Sequence, residues 1–547
     1  MTAEPAGTTS AASPAKSAAP PPTGLRRDIG RLSLLFAAVG SIIGSGWLLA
    51  PMTAAQIAGP ASLVSWAIGA GAILILALVF AELGAMLPLA GGVARYPHLA
   101  HGSLVGFAAG WLAWLGFVTT APIEVLTALQ YSSNYAPWVA HVSVSDHHET
   151  VVLSGAGYVV AALLMLVFAV VNVTGVRWLA RANTAVVWWK IAIPVLAAVV
   201  LIAAAFHPGN LHQFGGFSPS GVKGILTAVA SGGVIFSYTG FEQGVVLAGE
   251  SRNPGRNVPR AVIGSVLLAV CVYVLLELAF VGAVDPHSLE HGWGAVDIAG
   301  NFGPFAAIAS GLGFGWLATL LYIDSTVSPG AEGLLYIGTS ARTTYAMSRN
   351  GYLPYRFSKV NKGGTPAFSI GSAFVIGMIA FLPFPSWQSL VGFISSSLVL
   401  MYALMPLCWA ALRRQLPDLP RPFRLPLGQP LAFLAFYVAN LVVYWSGWQT
   451  NWKLFTALLI GFVLLTVVRA GQRGPRGPLD LRAGWWLAPY FGGLALLSWL
   501  GTFGGGRGVI TFGPDAVAVL VLSGAVWWVA LRSRLDDAGV TVDAGEG

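Results

Sequence analysis

The chain has 547 residues, of which 56% are hydrophobic and 9% charged, with a mean hydropathy of +0.73. A soluble domain carries about 25% charged residues, so the composition excludes soluble classes and describes an all-α polytopic membrane protein. The net charge of +8 does not point to nucleic acid, because the basic residues fall in short segments between apolar runs.

Residues 1–24 are rich in Ala, Pro, Ser and Thr. They read as part of a disordered cytoplasmic tail, 1–30, with no cleavable signal peptide. At about 20 apolar residues per crossing, fourteen spans follow, near 31–57, 61–89, 102–132, 152–172, 183–206, 222–249, 261–284, 310–340, 366–383, 388–411, 430–447, 453–469, 484–501 and 515–531. A short tail, 532–547, is left beyond them. The segment between Asp285 and Ser310 reads as a loop with room for a short outer helix.

The first span contains Gly40-Ser41-Ile42-Ile43-Gly44-Ser45-Gly46-Trp47. Each mid-helix glycine costs about 1 kcal/mol relative to alanine. In lipid, an opened backbone is tolerated only where protein buries it or it lines a cavity. The pattern predicts a helix broken at 44–46. A second interruption, Ser237-Tyr238-Thr239-Gly240-Phe241-Glu242, follows Val234-Ile235-Phe236 in the sixth span. Paired interruptions at corresponding places in two halves point to a transporter site. Spans 1–5 (31–206) and 6–10 (222–411) then form two repeats of opposite orientation, followed by four more spans over 430–531. A half-helix N-terminus favours an anionic group, and a half-helix C-terminus with open carbonyls favours a cation. A zwitterion such as an amino acid suits both. The expected substrate contacts are Ile43, Gly44, Ser45, Gly46, Trp47, Phe236, Ser237, Tyr238 and Gly240.

Lysine and arginine set the orientation. With the N-terminus in the cytoplasm, the inner segments hold Arg26, Arg27 and Arg31, then Arg95, Arg177 and Arg181, then Arg252, Arg256 and Arg260. The remaining inner segments hold Arg342, Arg349, Arg356, Lys359 and Lys362, then Arg413, Arg414, Arg421 and Arg424, then Arg469, Arg473, Arg476 and Arg482, and finally Arg532 and Arg534. The outer segments hold Lys453 and Arg507 and almost no other base. His141, His147 and His148, with Asp146 and Glu149, lie in the 133–150 segment without ligand spacing, and read as an exposed loop. Cys271 and Cys408 lie in apolar runs, so neither a disulfide nor a metal site is expected.

Several segments together resemble the amino acid–polyamine–organocation superfamily of transporters. They are the Gly44-Ser45-Gly46 break, the Phe236–Glu242 break, and Glu82 with Pro88-Leu89-Ala90-Gly91-Gly92. Glu250-Ser251-Arg252-Asn253-Pro254-Gly255-Arg256 is similar to the family's loop between helices 6 and 7. Thr339-Ser340-Ala341-Arg342 and the run Tyr345 to Pro354 are similar to the segment after helix 8. The resemblance covers about 30–415 and weakens over the last four spans. It implies a five-plus-five inverted-repeat, leucine-transporter-like fold. Fourteen spans and Ser328-Pro329-Gly330 look most like the bacterial aspartate/glutamate–proton symporter branch. Trp47 departs from the aliphatic residue usual after the glycine motif.

Ionisable residues inside a membrane are functional candidates. The resemblance implies that Lys190 in the fifth span matches the lysine that replaces a bound sodium ion in sodium-independent members. The expectation is that its ammonium joins the carbonyls near Ile42 and Ile43 to the eighth span, where Asp324, Ser325 and Ser328 complete an ion-coupling group. Asp324 pairs with Lys190, carries a proton itself, or is satisfied by neighbouring hydroxyls. Glu332 is given a lesser part. Glu124 and Glu277 are placed toward the outer side, facing a vestibule. Glu82 pairs with loop arginines, Glu242 complements a helix N-terminus, and Glu250 with Arg252 or Arg256 forms a cytoplasmic gate.

No phosphate loop, HExxH or nucleophile–base pair is present, so neither an enzyme nor a cofactor is expected. The leading reading is an importer of amino acids in the plasma membrane, proton-coupled and sodium-independent. The partners are the amino acid, the coupling proton and the bilayer. An exchanger, a non-transporting amino acid sensor and a channel are the alternatives. The side chain carried and the oligomeric state stay open.

Overall fold

A computed structural model describes residues 27–89, 92–145, 148–174, 178–296, 298, 303–361, 364–471 and 479–538, without side chains at 144–150 and 178–183. Arg26 and most of the N-terminal tail, Ala90, Gly91, His147, Arg177, Lys362, Arg473, Arg476 and the end of the C-terminal tail lie outside the described residues, as do the side chains of His148, Glu149 and Arg181.

The first predicted span divides into α1 (Arg31–Ile42) and α2 (Gly46–Ala58). Gly59, at φ 63°, and Pro60 turn the chain into α3 (Ser62–Met86). Next comes α4 (Gly92–Ser132), which is two helices meeting at Gly102 (φ 82°, ψ −170°), so its second part starts where the sequence places the third span. The 133–150 segment is not a plain loop. It contains half of an antiparallel hairpin, β1 (Ala140–Ser145) with β2 (His148–Leu153), in the register Val142↔Val151. The β-branched residues Val142, Val144, Thr150, Val151 and Val152 favour this pairing. His141 is exposed.

After the hairpin run α5 (Gly155–Thr174) and α6 (Trp178–Ala205). The sixth predicted span is α7 (Gly221–Ser231), α8 (Val234–Tyr238) and α9 (Gln243–Val246), bent by 47°. Then come α10 (Pro254–Ala283), a short α11 (Pro304–Gly311) in the expected outer segment, and α12 (Gly315–Arg349). The chain ends with α13 (Ala367–Ala380), α14 (Trp387–Gln415), α15 (Gln429–Trp445), α16 (Trp448–Gly471), α17 (Leu481–Gly484), α18 (Leu487–Leu500) and α19 (Pro514–Arg532).

Among the described residues, eight helices are long and apolar enough to cross a bilayer, or nine with the bent sixth span. The protein is therefore a multi-pass membrane protein. Burial separates an axis from a rim: the most apolar windows of α4 and α14 are 94% and 100% buried, against 22% for α5 and for α16. The exposed rim residues Leu163, Val167, Leu459 and Val463 are apolar, as lipid-facing surface must be. α4 packs on α12 and α14, and α3 on α10. Small residues permit this closeness: Gly110 faces Met347 at 3.3 Å from the position of a Cβ, Gly116 faces Leu398, and Ser397 Oγ donates to the Leu112 carbonyl at 2.8 Å.

At one end of α3 the fully buried Glu82 carboxylate accepts from Arg413 Nε (2.9 Å) and Nη2 and from the Leu425 N–H (2.6 Å), with Arg421 Nε at 3.7 Å. This is the expected pairing with loop arginines, and it ties α3 to α14 and to the segment before α15. Removing one member of a buried pair leaves a charge without its partner and costs about 3 kcal/mol or more. Glu82→Ala is expected to lower the melting temperature of the purified protein in detergent. Glu82→Gln, which keeps an acceptor for Leu425, should recover part of the loss.

Candidate functional site

The backbone opens where the glycines allow it. Ile43 is extended (φ −90°, ψ 98°), Ser45 caps α2, and the carbonyls at the end of α1 lack helical partners. Side chains from four other helices supply partners. The Ser45 N–H donates to Glu124 Oε2 at 2.9 Å, and Ser45 Oγ donates to Glu124 Oε1 at 2.7 Å. Trp387 Nε1 lies 3.4 Å from Ser45 Oγ. The Ile42 carbonyl accepts from the Tyr273 hydroxyl at 2.9 Å, and the Gly40 carbonyl accepts from Lys190 Nζ at 2.9 Å.

The sixth span opens twice. Gly232 and Gly233 (φ 89°) separate α7 from α8, a break the Gly-Gly doublet signals and the sequence reading passes over. Beyond α8, Thr239 is extended and Gly240 sits at φ 108°. Glu242 Oε2 accepts from the Gly240 N–H (2.9 Å) and the Tyr402 hydroxyl (2.7 Å), so Glu242 serves the opened backbone before α9 and makes no side-chain cap bond to the N-terminus of that helix. The two breaks touch. A Cβ on Gly46 would lie 3.0 Å from the Ser237 Cα, and one on Gly240 would overlap the Ser41 carbonyl. Only glycine lets the two segments come this close.

Of the residues expected at the substrate, Ile43, Ser45, Trp47, Ser237 and Tyr238 are essentially fully buried, and Phe236 nearly so. Trp47 packs on Phe305, and Phe236 meets Trp387 edge-on. Ser237 Oγ donates to the Gly233 carbonyl (2.9 Å). Tyr238 packs edge-on against Trp66, with its hydroxyl 3.5 Å from the Trp66 carbonyl. Asp324 Oδ1 accepts from Trp189 Nε1 and Ser328 Oγ, both at 2.6 Å. Donors therefore satisfy Oδ1 alone, Oδ2 is buried without a partner, and Lys190 bonds the Gly40 carbonyl rather than Asp324. Ser325 Oγ turns back to the Tyr322 carbonyl (2.8 Å) and takes no part in the charge cluster.

Several further expectations change. Lys190 reaches Gly40 rather than Ile42 or Ile43, because the Tyr273 hydroxyl already holds the Ile42 carbonyl. Glu124 is fully buried on the first break instead of facing an outer vestibule. Glu277 is also fully buried, accepting from Trp66 Nε1 at 2.7 Å. The gate of Glu250 with Arg252 or Arg256 is not an ion pair among the described residues. The backbone forms the contact instead: the Ile29 N–H donates to the Glu250 carbonyl and the Arg252 N–H to the Ile29 carbonyl, both at 3.0 Å, while the Arg252 side chain is exposed.

Glu332 is central, not minor. It is 5% exposed, and its Oε2, without a hydrogen-bond partner, presses on Gly44, where a Cβ would overlap it. The same Cβ would lie 3.1 Å from Glu124 Oε2. Two carboxylates therefore converge on Gly44. Lys190 is the buried cation acting on Glu332, Glu124 and Asp324 together. In the sequence, the available signal for Glu124 and Glu332 is a carboxylate within a span.

A helical membrane protein whose interrupted helices meet around buried charge has the make-up of a transporter. The family model described as amino acid permease matches residues 29–465, and the chain belongs to that family, within the amino acid–polyamine–organocation superfamily. It is 36% identical over 512 residues (93% of this chain, 94% of the relative) to the glutamate/serine transporter AimA of Bacillus subtilis. It is also 36% identical over 521 residues (95% and 98%) to the aspartate-proton symporter of the same organism. The branched-chain amino acid permease BcaP of Bacillus subtilis is 26% identical over 457 residues (80% and 92%). These are transporters, not enzymes.

Gly44→Ala is expected to abolish amino acid uptake and to lower thermal stability, because the added methyl group meets Glu332. Combining it with Glu332→Ala should raise the melting temperature above that of Gly44→Ala alone. No recovery in the double variant would refute the contact.

Proposed function

We propose that the protein imports amino acids across the plasma membrane, coupled to protons and independent of sodium, by alternating access around the two breaks. The single observation that carries this reading is the Lys190 ammonium on the Gly40 carbonyl, 2.9 Å away. An open half-helix C-terminus attracts a cation, and here the protein supplies that cation itself. Sodium is not needed there. The proton is the remaining coupling ion, and the name of the aspartate-proton symporter supports it.

The substrate's carboxylate binds the opened amides and hydroxyl around Gly44, Ser45 and Gly46, and its ammonium the carbonyl side of the breaks. Ile43, Trp47, Phe236, Ser237, Tyr238 and Gly240 close the site around it. Lys190, Asp324 and Ser328 form the coupling group. The names of the two 36% identical relatives favour L-glutamate, L-aspartate and L-serine. Spans 31–206 and 222–411 act as two inverted repeats, 430–531 adds four helices to make fourteen crossings, and both termini, 1–30 and 532–547, face the cytoplasm. The backbone contact of Ile29 with 250–252 is the inner gate.

Uptake of the three radiolabelled amino acids into proteoliposomes tests the reading. Accumulation is expected under an inward proton gradient without sodium. Strict sodium dependence would sink it. Lys190→Met keeps most of the stem but removes a charge-assisted hydrogen bond worth about 1.5–3 kcal/mol, so uptake should fall about tenfold or more.

A further inference from the structure

We propose that the Glu124 carboxylate is a tethered stand-in for the substrate's carboxylate, and that its displacement is the step that takes up the coupled proton. This rests on the transport reading above and adds the residue that carries the proton. The site for a carboxylate at the head of α2 is already filled from within: Glu124 takes both the N–H and the hydroxyl of Ser45, at 2.9 and 2.7 Å. An amino acid that uses those donors must first evict it. Neither oxygen of Glu124 has water to turn to, since the residue is fully buried.

The surroundings decide what happens to the evicted group. From α12 it faces Glu332 and the Tyr336 hydroxyl; from α6, Lys190, with Asp324 of α12 acting on that ammonium; from α10, Tyr273; and Glu242, at the start of α9, lies beyond Glu332. The group nearest the same point at Gly44 is another carboxyl, Glu332, whose Oε2 has no partner. Two ionised carboxylates held this close in a low-dielectric site repel strongly. With the site empty, the pair therefore holds one proton: Glu124 is ionised on Ser45 and Glu332 is neutral. When the substrate's carboxylate takes over the Ser45 donors, Glu124 loses the contacts that stabilised its charge and accepts a proton from the outer solution. The head of α2 faces one carboxylate before and after, and the Glu124–Glu332 pair goes from one proton to two. On the inner side the substrate leaves, Glu124 returns to Ser45, and the proton is released to the cytoplasm. One carboxylate in exchange for one proton is symport, and the linkage is reciprocal: protons tighten substrate binding, and substrate tightens proton binding.

Isothermal titration of the full-length protein in detergent, in two buffers of different ionisation enthalpy, counts the protons taken up with L-serine, L-aspartate or L-glutamate. With L-serine the wild type is expected to take up about one proton, and its Kd to rise about tenfold for each pH unit of increase in the range where empty-site Glu124 is ionised. Glu124→Gln should take up none and show a flat Kd. Glu124→Asp, which keeps the acid, and Glu332→Gln should each keep the proton. Ethanolamine, which is serine without its carboxylate, should drive no uptake in any variant. One proton still taken up by Glu124→Gln, or binding to the wild type with no proton, overturns this inference alone. If none of the three amino acids binds the wild type, the transport reading falls with it. If Glu124→Gln does not fold, the wild-type proton count and its pH slope, together with Glu124→Asp, decide the matter.

Discussion

An amide opened in the middle of a membrane must be bonded, and the bond between the Ser45 N–H and Glu124 does this where α1 gives way to α2. Other parts of the centre follow from the same requirement. Tyr273 and Lys190 cover carbonyls of α1, Trp387 reaches Ser45 Oγ, and Glu242 and Tyr402 do the corresponding work in the sixth span. Each of these is a polar side chain buried for the sake of a missing helical hydrogen bond. Unsatisfied backbone groups in lipid cost several kcal/mol each, so the breaks persist only because α4, α6, α10 and α14 bring these partners to them.

That arrangement also gives the site its chemistry. Groups recruited to satisfy a backbone are the groups a ligand must compete with. A carboxylate on an amide and an ammonium on a carbonyl are the two halves of a zwitterion, supplied by the protein when nothing else is bound. The buried aromatic residues Trp47, Phe236, Tyr238 and Trp387 pack beside the breaks, and bonds in such a low-dielectric interior are stronger than in water.

The breaks themselves were legible in the sequence because glycine and serine in mid-span have few other uses. Gly44 and Gly46 announced the first one, and the family resemblance, rather than depth, marked Lys190 as a buried cation. Glu82 was legible too, since a carboxylate at the inner end of a span has arginines nearby. Glu124 was not. Its window of α4 is 94% buried, so no apolar stripe tells one face from another, and depth alone suggests a vestibule rather than the break it serves. Its partner Ser45 is 79 positions away, a distance no local pattern spans. Glu332 was hidden in the same way, behind the more suggestive Asp324 and Ser328. The hairpin at 140–153 escaped because its valines are interleaved with His and Ser, which read as loop.

The joint between Ile29 and the Glu250–Arg252 stretch has a mechanical consequence. Among the described residues it consists of two main-chain bonds, each worth about 1 kcal/mol net, with no charged side chain in it. A latch of this kind is weak and nearly indifferent to ionic strength and to pH. The segment leading into α1 is thus held by bonds that salt and pH leave nearly unchanged, in contrast to the buried carboxylates and ammonium around Gly44.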